Sequence, residues 1–334
     1  MHSVLVTLGE AHYDNVLTKD DLARLESKVK VTRRTDLLRA DEDKLITALK
    51  FADADILMTS WGAPAVTMKV LKAWPKLEYL VHTAGELKWF VQRETIENGL
   101  IVTNWGDCTS ASTAEGALAM TLALLRNYHN MTEWMRKDRL YWDVPAQDEG
   151  LFEQRVGLHG LGAIAQEYVK FIKPFNCKVS AYSPHCPDGV FQSLGVKRAK
   201  SLDELYGSNR IISCHAANTP ANRHMVNARV LRLIEDGGYF INTSRGAVVD
   251  TEALIAELKT GRISAALDVY EEEPLPAASP LRDIPNCMVV PHRAGPTPDR
   301  RKDMGKYAVD NILRWTRGEP LLGIVDLKKY DLMT

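Results

Sequence analysis

Arg245, Asp268 and His292 are the residues of this chain from which chemistry can be read. Each stands just past a short apolar run: Tyr239 to Asn242 before Arg245, Ile263 to Leu267 before Asp268, Met288 to Val290 before His292. If those runs are strands of one parallel sheet, the three polar side chains emerge at its carboxyl edge, where open α/β sheets bind ligands. Arginine presents a planar fork that matches a carboxylate. Histidine exchanges a proton near neutral pH. An acid from the run Glu271-Glu272-Glu273 would orient the imidazole and favour its protonated form. Taken singly, each has a plainer role: a helix cap or phosphate contact for Arg245, a structural histidine, a solvated acidic turn. Together they match what the protein must provide when a nicotinamide exchanges hydride with a 2-oxo acid.

A second stretch supplies a place for such a nicotinamide. Val156 to His159 is a short apolar run, the turn Gly160-Leu161-Gly162-Ala163-Ile164-Ala165 follows, and apolar residues then recur at helical spacing in Ile164, Val169 and Ile172. Cys177 to Tyr182 closes the unit as a second strand. In this GxGxxA pattern the glycines let the backbone turn sharply and approach a pyrophosphate, which the free amides of the helix N-terminus then hold. The expected cofactor contacts of this unit are Gly160, Leu161, Gly162, Ala163, Ile164 and Ser183. An acidic residue for the ribose hydroxyls is due about 20 residues after the first glycine, yet position 183 is serine. Without a carboxylate a ribose hydroxyl lacks its partner and a 2′-phosphate lacks its repeller; Pro184-His185 adds no arginine to attract one. The cofactor is therefore NAD or NADP, with the preference open. His159, between Gly157 and Gly160, reads as a core histidine.

The elements that must position these groups alternate along the chain. Val4 to Thr7, Val29 to Thr32, Ile56 to Ser60, Leu77 to His82 and Leu100 to Asn104 predict buried strands. Helical patterns separate them over Lys19 to Lys28, Asp41 to Phe51, Thr67 to Ala73 and Lys88 to Asn98. Past the fourth strand lies Thr83-Ala84-Gly85-Glu86, a turn whose amides could hold a carboxylate or simply reverse the chain. Ser110 to Asn130 predicts a long helix running between domains, with Ser112-Thr113-Ala114-Glu115 as its capping box. Met131 to Gln154, with Pro145 and Gly150, reads as a connection. Ile211 to Cys214 adds a strand, Asp250 to Leu258 a helix, and Asp299 to Arg317 a last helix that returns the chain to the first domain. The fold class is α/β with two Rossmann-like parallel-sheet domains, a cofactor domain (108–297) inserted into a discontinuous flavodoxin-like substrate domain (1–107 and 298–334).

Composition narrows the classes. With 334 residues, 45% hydrophobic and 25% charged, the chain has material for two cores and the makeup of a globular protein. A net charge of -1 without a long basic run gives nucleic acid no foothold. Five scattered cysteines without CxxC spacing predict neither a disulfide framework nor a metal site, and fit a reducing cytoplasm. No uncharged run has membrane-spanning length.

The motifs INTSRGAVVD (Ile241 to Asp250), ALDVYEEEPLP (Ala266 to Pro276), VVPHRAG (Val289 to Gly295) and AVDNILRWTRGEP (Ala308 to Pro320), with the Val156 to Tyr182 unit, resemble the D-isomer-specific 2-hydroxyacid dehydrogenases. This family includes glyoxylate/hydroxypyruvate reductases, glycerate dehydrogenases and phosphoglycerate dehydrogenases, and the likeness covers most of the chain. It implies that Arg245 binds the substrate carboxylate and carbonyl, that His292 is the acid/base, and that Glu273 rather than Glu271 or Glu272 is its partner. It further implies that Asp268 faces the nicotinamide, that His215 and Thr243 join it as cofactor contacts, that Ala84 and Gly85 help hold the carboxylate, that the site lies between the domains, and that the protein is a homodimer. Departures are Ser183, the segment Cys214 to Thr219 without the usual proline and leucine, and ELKWF (Glu86 to Phe90) in the substrate loop. The absence of a further domain after Pro320 points away from the longer phosphoglycerate dehydrogenases. A dinucleotide-sensing scaffold of the same fold, such as a co-repressor, is the alternative, since it can retain the same three residues. A formate dehydrogenase relationship is disfavoured, because that group has glutamine where Glu273 stands.

Overall fold

Short runs buried at every residue are the signature of strands covered on both faces, and they order this molecule. The computed structural model describes residues 1–137 and 148–333. In chain order the first five strands are β1 Ser3–Val6, β2 Lys30–Arg33, β3 Ile56–Thr59, β4 Tyr79–His82 and β5 Ile101–Thr103; all pair in parallel in the order β2-β1-β3-β4-β5. Seven more follow: β6 Arg155–His159, β7 Lys178–Tyr182, β8 Lys197–Arg198, β9 Ile211–Cys214, β10 Tyr239–Asn242, β11 Ser264–Leu267 and β12 Cys287–Val289. These form a second parallel sheet, β12-β11-β10-β9-β6-β7-β8. Its order reverses between β6 and β9, and such a switch point opens the crevice in which doubly wound folds bind ligands.

The chain divides into two compact units, residues 1–109 with 296–334, and residues 110–295. In the first, alternate strand residues feed two cores. Leu5, Leu57 and Leu80 pack with Leu45 and Leu49 of the helix Glu42–Ala52, while Val4, Ile56 and Tyr79 pack with Met304, Val309 and Ile312 of the helix Arg301–Thr316. The last long helix is thus a covering layer of the first sheet. In the second unit Leu158, Ile211, Ile241 and Ala266 face Ala165 and Val169 on the helix Ala163–Ile172, with Phe240 and Ala265 turned to the opposite core.

Several expectations are corrected. Lys88 to Asn98 is helical only over Arg93–Glu97. Phe90 and Val91 are drawn into the core, and Val91 bridges Val66 in extended form. The helix after Ser110 spans Ser110–Leu125 and stays within the second unit, its Ala114, Ala117, Leu124 and Leu125 buried there. Asn127 then takes a left-handed conformation, φ 53°, and a separate helix Tyr128–Arg136 begins, so the first residues of the expected connection are helical. Of that connection, Pro145 lies outside the described residues, and Gly150 is in irregular chain. The capping box at Ser112 is also corrected: Ser112 lies inside the helix with its hydroxyl buried and unpartnered. β8 went unread because two residues carry no periodicity. Among the described residues no helix is long and apolar enough to cross a membrane, and no group of three or more His, Cys, Asp or Glu side chains is placed to hold a metal.

Candidate active site

The dinucleotide turn forms at the switch point. Gly160 has φ +101°, and a Cβ there would lie 2.8 Å from the carbonyl oxygen of His215, so conformation and space both demand glycine. Its N–H donates to the Tyr182 carbonyl (2.9 Å), tying the turn to β7. Gly162 differs: its φ of -76° is open to any residue, and nothing stands within 4 Å of where a Cβ would be. It is the N-cap of the helix Ala163–Ile172 and offers no side-chain acceptor to the first-turn amides. Those amides lie beside space that a side chain would otherwise fill. Thr243, just past β10, adds a buried hydroxyl without a partner. A strained glycine, an open glycine above a helix N-terminus and an orphaned hydroxyl at the same sheet edge fit a dinucleotide pyrophosphate.

Two histidines lie beneath this turn. His159 meets the Tyr206 hydroxyl at 3.2 Å, and burial pushes its imidazole down to about 4. His215 lies 2.9 Å from the Ser213 hydroxyl and is also lowered to about 4, by burial first and then by His159. Both are neutral at physiological pH; His159 is the satisfied core residue that its position suggested. Ser183 follows β7, and its carbonyl accepts from Arg198 (3.0 Å). The same guanidinium reaches the Cys186 carbonyl (2.6 Å), pairs with Asp188 (2.7 Å) and covers the Phe191 ring. A cation therefore does stand beside position 183. Reading only the residues after Ser183 missed it, because it arrives from β8.

The chemical groups collect at the carboxyl ends of β10, β11 and β12, which are neighbours in the sheet. Asn242, the last residue of β10, accepts from the Ser244 amide (3.0 Å) and hydroxyl (2.8 Å) and donates to the Arg245 carbonyl (3.2 Å). These bonds shape the turn that presents Arg245, whose Nη1 donates to the Ser244 carbonyl (2.8 Å). Gly246 is pressed onto the next turn, where a Cβ would fall 1.8 Å from the Tyr270 carbonyl carbon. Only glycine lets the two turns meet. Neither Asn242 nor Gly246 was singled out by sequence, although the Asn-x-Ser spacing is a recognisable turn signal.

Glu273 completes the group. Its Oε1 accepts from the Tyr270 amide (3.0 Å) and its Oε2 meets His292 Nδ1 at 2.7 Å. Glu271 turns elsewhere, to His224 and the Thr251 amide. Burial opposes ionisation of Glu273, but bonds from His292 and the Tyr270 amide, with the charges of His292 and Arg245, hold its carboxyl below the usual range. His292 is raised above 6.5, chiefly by its bond to Glu273; burial opposes this, the charges of Glu273 and Asp268 add to it, and Arg245 subtracts. His292 itself has φ +51°, and its amide donates to the Val290 carbonyl (3.0 Å). Asp268 is buried and accepts from the Arg293 amide and the Ala294 amide (2.9 Å), fixing the turn just after His292. Burial raises its carboxyl, against the pull of those two amides and of His292. Ala84 and Gly85 belong to the other unit, where the Asn104 side-chain amide donates to the Gly85 carbonyl (2.9 Å) and Trp105 covers Gly85.

Known proteins resemble this chain over most of its length. The family model described as D-isomer specific 2-hydroxyacid dehydrogenase, NAD binding domain, matches residues 118–294. The chain is 30% identical over 305 residues to a glyoxylate reductase of Thermofilum pendens, covering 90% of this chain and 86% of that protein. It is 30% identical to a D-3-phosphoglycerate dehydrogenase of Methanocaldococcus jannaschii over 98% of this chain but only 60% of that longer protein. Among solved structures, a 2-hydroxyacid dehydrogenase of Ketogulonicigenium vulgare Y25 superposes with a TM-score of 0.79 at 27% identity, covering 97% of this chain and 99% of that one. The chain belongs to the D-isomer-specific 2-hydroxyacid dehydrogenases, oxidoreductases that use NAD or NADP on CH–OH donors.

Proposed function

We propose that this chain is a D-2-hydroxyacid dehydrogenase that works as a reductase of small 2-oxo acids, with His292 as acid/base, Glu273 as its partner and Arg245 as the cation for the substrate carboxylate and carbonyl. The observation that carries the reading is the 2.7 Å bond between His292 Nδ1 and Glu273, with Arg245 close enough for its charge to act on both. The nicotinamide, when bound, supplies or accepts the hydride. Because Nδ1 is committed to Glu273, the proton that moves is held at Nε2. Protonated His292 gives it to the substrate oxygen during reduction and takes it back during oxidation. Arg245 holds the carboxylate and meets the charge that develops on the oxygen. Asp268 fixes the backbone after His292 and adds a negative charge that favours the imidazolium. The turn from Gly160 to Ile164 receives the pyrophosphate, and Ser183, His215 and Thr243 line the rest of the cofactor path.

Small acids such as glyoxylate and hydroxypyruvate are the proposed substrates, in line with the glyoxylate reductase among the relatives. A homodimer in the cytoplasm is the proposed setting. The compared proteins are named as dehydrogenases and reductases, which gives the scaffold alternative no support. The test is a panel of glyoxylate, hydroxypyruvate, pyruvate and bulkier 2-oxo acids with NADH and with NADPH. Oxidation of one cofactor by at least one acid is expected; cofactor binding without oxidation across the panel overturns the reading.

A further inference from the structure

The unit formed by residues 1–109 and 296–334 contains a cation without a counter-charge. Arg301 opens the helix Arg301–Thr316, and among the described residues its guanidinium makes no ion pair and no hydrogen bond; its Nε is buried and unpartnered. The contrast is local, since the adjacent Arg300 pairs with Asp303 at 2.6 Å. The Arg301 guanidinium instead lies 5.5 Å from the ring centroid of Trp61. Trp61 stands 5.4 Å from His12 and, edge to face, 6.0 Å from Trp105. Ser60, the residue before Trp61, has a buried hydroxyl with no partner. His12 is lowered by burial first and then by the charge of Arg301, so it stays neutral beside that cation. No carboxylate takes part in any of these contacts.

Such a wall is costly unless something pairs with it, because a buried N–H donor without an acceptor keeps its desolvation penalty. An indole face attracts the guanidinium but leaves its in-plane donors unused. We propose that Arg301, Trp61, His12 and Trp105 form an anion subsite for the carboxylate or phosphate group of a small molecule, separate from the role of Arg245. The guanidinium fork takes two anion oxygens. The Trp61 ring lies against the guanidinium, and the neutral His12 imidazole beside Trp61 supplies a further donor.

The test uses the full chain with NADH or NADPH bound and an Arg245→Ala background, so that the other cation cannot account for the result. Succinate and inorganic phosphate are titrated in, with succinamide as the uncharged control, following indole fluorescence and heat of binding. Saturable binding of at least one anion and none of the diamide is expected, and the stronger of the two says whether the group is a carboxylate or a phosphate. Arg301→Met weakens that binding by roughly tenfold or more, the loss expected for a charge-assisted bond, and Arg301→Lys recovers part of it. Thermal melts of both variants check that they are folded. No saturable binding of either anion, or equal affinity with arginine and methionine at position 301, overturns the proposal. Neither result depends on turnover, so the outcome is independent of the reductase reading.

Discussion

At the scale of single residues the pair His292 and Glu273 sets the pH behaviour. His292 has a raised pKa, so its share of the ion pair is present below its ordinary value and is lost as pH rises through the higher folded value. Glu273 is lowered, so its share is present above the ordinary carboxylate value and is lost as pH falls through the lower folded one. The pair is fully formed between those limits. Reduction needs the protonated imidazole, and we predict that kcat/KM for reduction falls at alkaline pH with a midpoint above 6.5, while oxidation rises over the same range. Glu273→Gln removes the largest cause of the shift and should move both limbs to lower pH; profiles that coincide with the wild type's would contradict the assignment. His292→Ala should lose about 10²- to 10⁴-fold in kcat while the cofactor dissociation constant, read by fluorescence titration, stays the same.

At the scale of elements the turn after β6 separates two uses of glycine. Gly160→Ala puts a Cβ against the His215 carbonyl at φ +101°, and a loss of about 1–3 kcal/mol is expected for strain of that kind. Thermal denaturation without cofactor measures it. Gly162→Ala meets nothing within 4 Å and keeps an ordinary φ. Its melting temperature should match the wild type's, with the damage confined to cofactor affinity, because the added methyl fills the approach to the helix amides. A Gly162→Ala variant that binds NAD and NADP normally would place the pyrophosphate elsewhere. The same distinction explains Gly246, where a backbone, not a ligand, takes up the space.

For the whole molecule, saturating cofactor should stabilise the fold by mass action, about 2.7 kcal/mol at 100 times its dissociation constant. Melting curves at increasing NADH and NADPH report this, and whichever gives the larger shift at equal concentration is the preferred cofactor. Light scattering should give twice the mass of the chain, as the proposed homodimer requires; the mass of a single chain would remove that part of the proposal.

The alternation of apolar runs and helical stretches was enough, by itself, to determine a doubly wound fold, because strands covered on both faces must be apolar throughout and their connections must be long. Single motifs were equally legible: GLHGLGAIA for the turn, and the acidic run before Pro274 near a histidine. Length alone misled where tertiary packing overrode local pattern, as in the extended Val91 and the break at Asn127. The acidic run alone does not say which glutamate serves His292; the family resemblance picked Glu273, and the tertiary structure bonds Glu273 to His292 while Glu271 turns to His224. Only the tertiary structure revealed Arg198 beside Ser183, and Arg301 over Trp61, whose partners are far apart in sequence. Periodicity is a property of neighbours along the chain, whereas a charge finds its partner only across space.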